Sequence, residues 1–149
     1  MKYIGVKIVD SEPMTVREFS EQIRPLQYSG EDQNGYKVTY EDGYVSWSPK
    51  SVHEKAYRPI TGLTFGLAVE ALKKGHRVAR AGWNGKEMWL SVVTSDNYLI
   101  LTPPYKDVNS GPDSVGPLPW IGMKTADNKF VPWLASQTDM LAEDWMIVE

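Results

Sequence analysis

Residues 76–89, HRVARAGWNGKEMW, read as a strand, a Gly-rich turn and a second strand, a pattern that commits this part of the chain to antiparallel pairing. Asn84-Gly85 is a dipeptide that tolerates positive φ, and Gly82 permits close approach of a ligand to the backbone. Directly upstream, Thr64 is placed to cap an amphipathic helix, FGLAVEALKK, with Phe65, Ala68, Val69 and Leu72 on one side. Lys73 and Lys74 suit the C-terminal end of its dipole, and Gly75 suits the position just past its end.

Downstream, MWLSVV predicts a strand over 88–93, YLIL a short strand from residue 98, and PWIGMK with KFVPW a hairpin turning at residues 125–128. WMIV closes the chain as a strand. Ser136 and Thr138 are both candidate N-caps for a helix within SQTDMLAEDW, and Asp139 suits its first turn. Between Thr102 and Pro119 lies a loop holding five of the ten prolines, of a length typical of lids and binding loops.

The first sixty residues follow a separate pattern. KYIGVKIV predicts a strand over 2–9, broken by Ser11-Glu12-Pro13. Thr15 and Glu18 have capping-box spacing, and Val16, Phe19 and Ile23 recur at helical intervals, so a helix is expected over about 15–24, ending before Pro25. YKVTYEDGYVSWS is a hairpin turning at Asp42-Gly43. Ser48-Pro49 then supplies a cap and first helical residue for a helix to about Tyr57, with Val52 and Ala56 facing the hairpin. Pro59-Ile60-Thr61-Gly62 reads as a joint. The expected fold class is α+β: an antiparallel sheet with a packed N-terminal helix over residues 61–149, preceded by a small strand-helix-hairpin-helix module over 1–60.

Composition narrows the chemistry. The chain has no cysteine, which rules out a disulfide framework, a thiolate nucleophile and a Cys-based zinc site. His53 and His76 lie outside any metal-ligand spacing. No signal-peptide pattern or membrane-spanning run is present, so a soluble, unexported protein with no membrane partner is expected. The net charge of −3 argues against a grip on a nucleic acid polymer. Charge is uneven, however: residues 61–94 hold five Lys/Arg against two Asp/Glu, whereas residues 95–149 hold three against eight. The 76–89 stretch sits in the only basic third, which favours a small anion.

G-x-S-x-G, P-loop and G-x-G-x-x-G patterns are absent, and no cofactor is expected. Asp139, Glu143 and Asp144 are candidate acid/base carboxylates, with Asp139 and Glu143 at a spacing that places both on one helical face. Indole is abundant: Trp83, Trp89, Trp120, Trp133 and Trp145 are five of the six tryptophans. Aromatic stacking contributes about 1–3 kcal/mol per base, and guanidinium groups hold phosphates. Trp, Arg and short hydroxyls together form the inventory of a nucleotide pocket, although indoles equally build cores.

RVARAGWNGKEMW and PWIGMKTADNKFVPWLASQTDMLAEDW resemble the second type of Thoeris anti-defence protein, a family of small bacteriophage proteins. The similarity begins near LTFGLAVEALKKG and covers roughly residues 61–149, with Leu67 where the family often has Glu. The resemblance implies a homotetrameric sponge that binds cyclic ADP-ribose-type immune signals, and in some relatives cyclic nucleotides, without cleaving them, in the cytoplasm of the infected host. It implies ligand contacts from Phe65, Arg80, Trp83, Asn84, Trp89, Trp120, Lys124, Trp133, Ser136, Thr138 and Asp139. In such a pocket Trp83 and Trp89 stack on or line the base, Arg80 and Lys124 meet the pyrophosphate, and Ser136, Thr138 and Asp139 bind ribose or base edges. A phosphodiesterase or glycohydrolase using Asp139, Glu143 or Asp144 is the alternative. For residues 1–60, which resemble a small module of other phage proteins, no chemistry is implied.

Overall fold

Antiparallel pairing organises both parts of the chain. The computed structural model describes residues 1, 5–83, 87–108 and 118–148, and it divides into the units Met1–Arg58 and Pro59–Glu149. The class is α+β, with a three-stranded sheet in the first unit and a five-stranded sheet in the second.

In the first unit, β1 (Asp10–Pro13), β2 (Gly35–Thr39) and β3 (Val45–Pro49) form a sheet in the order β1-β2-β3. Helix α1 (Val16–Gln22) opens with the expected capping box: Glu18 N–H donates to Thr15 Oγ1 at 3.2 Å, and Thr15 N–H donates to Glu18 Oε2 at 2.8 Å. Its Val16 and Phe19 are buried.

Two local expectations fail in this unit. The first strand lies at Asp10–Pro13, over the expected break, while residues 5–9 have no regular structure and Lys2–Ile4 lie outside the described residues. Pairing outweighs propensity here. Glu12 stands opposite Lys37 of β2 and ion-pairs with it, and an edge strand tolerates a proline that a central strand would reject. Helix α2 (Lys50–Ala56) is capped at Pro49 instead of Ser48. Val52 is 55% exposed and Ala56 is exposed, and His53 faces the hairpin in their place. The His53 ring stacks on Tyr36 at 4.1 Å, with Nε2 2.9 Å from Ser11 Oγ.

In the second unit, helix α3 (Phe65–Lys73) is capped by Thr64, whose Oγ1 accepts from Leu67 N–H at 3.4 Å. It ends at Gly75, whose φ of +90° is the left-handed conformation that favours glycine. Strands β4 (Arg77–Arg80), β5 (Trp89–Val93), β6 (Trp120–Lys124), β7 (Phe130–Pro132) and β8 (Trp145–Val148) form the sheet in the order β7-β6-β5-β4-β8. The chain's last strand therefore pairs with β4, antiparallel, with Arg80 opposite Trp145. Leu63 exchanges backbone hydrogen bonds with Trp145 at 2.7 and 3.2 Å, and Ile147 N–H donates to Ile60 at 3.0 Å. The 60–63 segment thereby occupies the outer edge of β8, which would otherwise be open to pairing.

Ala68, Ala71 and Leu72 of α3 pack with Leu63, Val78, Leu90 and Trp145 as one buried cluster. Strand side chains alternate between faces, so Val78, Leu90 and Ile147 face α3 whereas Trp89 and Val93 point to the opposite face. On that opposite face Gly122 lies under the Phe130 ring, where a β-carbon would collide with it.

β4 and β5 pair as expected, and the connection leaves β4 through a 3₁₀ turn at Ala81–Trp83; Asn84, Gly85 and Lys86 lie outside the described residues. Other expectations are revised. YLIL forms no strand, since β5 already has β4 and β6 as neighbours and the sheet offers it no edge there; Leu99 and Leu101 are 74% and 71% exposed. The following loop contains a short helix α4 (Tyr105–Val108), and residues 109–117 lie outside the described set. Helix α5 spans only Gln137–Met140, so Asp139 and Glu143 do not share a helical face.

Trp145 is fully buried among Phe65, Trp83 and Trp133. Trp145→Ala should lower unfolding free energy by about 3–5 kcal/mol, the usual cost of removing a large buried ring, as read by urea denaturation.

Candidate functional site

The carboxyl end of β4 gathers a network of charged and hydroxyl side chains. Arg80 closes β4, and its Nε donates to Asp144 Oδ1 at 2.8 Å while Nη1 donates to Asp139 Oδ1 at 2.9 Å. The network is largely shielded, with Arg80, Asp139 and Asp144 side chains 16%, 15% and 34% exposed. Asp139 is held from its other oxygen by Ser136, whose Oγ donates to Oδ2 at 2.6 Å. Ser136 and Asp139 also form a capping box on α5, with Asp139 N–H donating to Ser136 Oγ at 3.1 Å and Ser136 N–H returning to Asp139 Oδ2 at 3.1 Å.

Indoles adjoin this network. Trp83 meets Trp145 edge-on at 5.6 Å and Trp133 at 6.5 Å, while Phe65 lies 5.6 Å from Trp145 and 6.3 Å from Trp133. Trp145 is the buried floor; Phe65, Trp83 and Trp133 are half-buried around it. The Trp145 Nε1–H donates to the Asp139 carbonyl at 2.9 Å, joining the ring cluster to α5.

Of the sequence-predicted residues, Phe65, Arg80, Trp83, Trp133, Ser136 and Asp139 therefore converge on the α3 side of the sheet. Trp89, Trp120 and Lys124 do not join them, because their strand positions alternate onto the opposite face. There Arg77 stacks over Trp89 at 5.4 Å, Trp120 contacts Tyr98 and Phe130, and Lys124 Nζ donates to the Glu87 carbonyl at 3.0 Å. Thr138 is exposed within α5, which is capped by Ser136 alone, and Asn84 lies outside the described residues. Asp144 is the site residue whose partner sequence reasoning missed. Its ion pair with Arg80 spans 64 positions and follows from the β4–β8 pairing.

The electrostatics are those of a closed ion-pair network. Hydrogen bonding from Arg80 holds Asp144 below the ordinary aspartate value of 3.8, against the opposing effect of burial and with help from the Gly82 N–H. Burial pushes Asp139 upward, but hydrogen bonds from Ser136 and Arg80 outweigh it and its value is also lowered. Arg80 is raised, first by its bond to Asp144, with burial opposing and Asp139 adding to the rise. Both carboxylates are thus anions at neutral pH and poor proton donors. Among the described residues no cluster of His, Cys, Asp or Glu could hold a metal ion, and no helix is long and apolar enough to cross a membrane.

A cleft of about 330 Å³ in the first unit is lined by Thr15, Glu18, Tyr36 and Lys50 among others. Thr15 and Glu18 are engaged in the α1 cap, and Tyr36 donates to Glu54 at 3.0 Å. These groups hold the local fold.

Because both aspartates have lowered folded values, their stabilisation is fully present above the ordinary aspartate pKa and is lost as pH falls through the folded values. Arg80→Met should cost about 2–3 kcal/mol, less than a fully buried pair because the network is partly hydrated. It should also shift the onset of acid unfolding to higher pH, as followed by circular dichroism between pH 2 and 7.

Comparison with known proteins agrees with this division of the chain. Residues 63–148 match the family model of the Thoeris anti-defense 2-like domain, called Tad2-like. The chain is also similar to Thoeris anti-defense 2 of Bacillus phage SP01, with 45% identity over 92 residues, covering 59% of this chain and 97% of that protein. The matched span begins at the Leu63 bridge to β8 and ends with β8 itself, so it contains the whole five-stranded sheet, the indole cluster and the Arg80 network; the chain belongs to the Thoeris anti-defense 2-like family.

Proposed function

We propose that the protein counters Thoeris immunity in phage-infected bacteria by binding and sequestering cyclic ADP-ribose-type signals without cleaving them. The observation that carries this reading is the half-buried ring group of Phe65, Trp83 and Trp133 beside the Arg80–Asp139–Ser136 network, inside the family-matched span. Rings give a base a stacking surface, and the hydroxyl and carboxylate of the α5 cap give ribose hydroxyls their partners. Arg80 already serves two carboxylates through Nε and Nη1, which leaves Nη2 and one Nη1 hydrogen unused by them. Its part in pyrophosphate binding is therefore a shared one. Sequestration needs affinity and no turnover, which suits carboxylates held as anions.

Degradation by Asp139, Glu143 or Asp144 is the competing outcome. The protein is loaded with cyclic ADP-ribose isomers, freed of excess ligand and heated. Intact ligand should be released; in a parallel incubation with ligand left in excess, a cleaved product accumulating beyond one equivalent would establish an enzyme instead. Trp83→Ala should weaken binding roughly five- to hundredfold, the equivalent of one lost stacking contact, in isothermal titration calorimetry.

The binding unit is in this reading a homotetramer acting in the host cytoplasm. Leu134 and Leu141 flank α5 at 92% and 81% exposure, with Met140 at 45%, and apolar side chains concentrated beside a site suit a protomer contact. Leu134→Asp with Leu141→Asp should convert a tetramer to smaller species in light scattering; a wild-type monomer at micromolar concentration would sink this part of the reading.

A further inference from the structure

We infer that Asp144 is a positioning residue, fixing the path of the Ala81–Trp83 turn and through it the placement of the Trp83 indole. The contacts concerned begin where β4 ends. Its last ladder pair with β8 is Arg80 opposite Trp145, and the chain then leaves the sheet. The next two N–H groups, on Ala81 and Gly82, have no ladder partner, and unpaired backbone donors demand substitutes. Asp144 supplies both: its carbonyl accepts from Ala81 N–H at 3.1 Å and its Oδ2 from Gly82 N–H at 2.9 Å.

Its other oxygen holds Arg80 through Nε. Three consecutive residues, Arg80, Ala81 and Gly82, are thus tied to one aspartate, and the residue that follows them is Trp83. The far side of the turn is set by the neighbour of Asp144: Trp145 packs edge-on against the Trp83 ring at 5.6 Å. Asp144-Trp145 therefore grips the turn at both backbone and ring. Space at the hook is tight, since a β-carbon on Gly82 would come to 3.2 Å from Asp144 Oδ2.

A carboxylate is required for this work. Oδ1 and Oδ2 each accept from a separate donor, and an amide of the same shape must turn its NH₂ toward one of them, donor against donor. That the fixed indole serves ligand binding rests on the sequestration reading; that Asp144 fixes it does not.

Asp144→Asn separates the two. Indole N–H resonances in a ¹H–¹⁵N spectrum, assigned with Trp83→Phe, should show Trp83 displaced while Trp89, on the opposite face, stays in place. Affinity for cyclic ADP-ribose should fall at least tenfold in Asp144→Asn, and by less than twofold when the same change is made in Trp83→Ala, because the loss passes through Trp83. An unmoved Trp83 resonance, or an equal loss in both backgrounds, overturns the inference. If Asp144→Asn does not fold, Gly82→Ala keeps every charge and presses on the hook, and must itself shift Trp83. If the wild-type protein binds no cyclic ADP-ribose isomer, the sequestration reading falls, and the Trp83 resonance alone decides the role of Asp144.

Discussion

The pairing of β8 with β4 is the constraint on which the second unit depends. It brings Trp145 from the end of the chain into the centre of the core, where it contacts Phe65 and Trp133 and is fully buried. The same pairing delivers Asp144 to Arg80 and to the first turn after β4. Core and candidate site are consequently built from one strand: the apolar residue at its start forms the floor, and the acidic residue just before it forms the clamp. The outer edge of β8 is occupied in turn by the 60–63 segment that leads into α3, so the helix, its cap and the last strand are fixed relative to one another.

Charge is arranged to hold geometry in this network. One guanidinium serves two carboxylates, and each carboxylate has a further donor, Ser136 for Asp139 and Gly82 for Asp144. Satisfying the remaining lone pairs is what makes a partly buried ion pair favourable. The result is a wall of half-buried rings beside a hydrogen-bonded polar cap. In the sequestration reading proposed above, side chains already held by such contacts lose less entropy when a ligand arrives.

Much of the local structure was legible in the sequence because its causes are local. The Thr15–Glu18 and Thr64 caps, the left-handed Gly75 and the hairpin at Asp42-Gly43 each depend on residues within a few positions. Where reading failed, a distant partner decided the outcome. Asp10–Pro13 is a strand because β2 pairs with it, YLIL is no strand because β5 has no vacant side, and His53, with the Tyr36 ring and Ser11 as its partners, stands where Val52 was expected.

The candidate site divides in the same way. By itself the sequence determined its ingredients: the density of indoles, the basic stretch around Arg80, the Ser136–Asp139 cap, and the family membership that these motifs carry. Only the tertiary structure decided which of them meet. Strand alternation sends Trp89, Trp120 and Lys124 to the face opposite Trp83 and Trp133, and the β4–β8 register turns Asp144 from a candidate acid into the partner of Arg80. A side chain's chemistry is written at its own position, but its face and its partner depend on a strand tens of residues away.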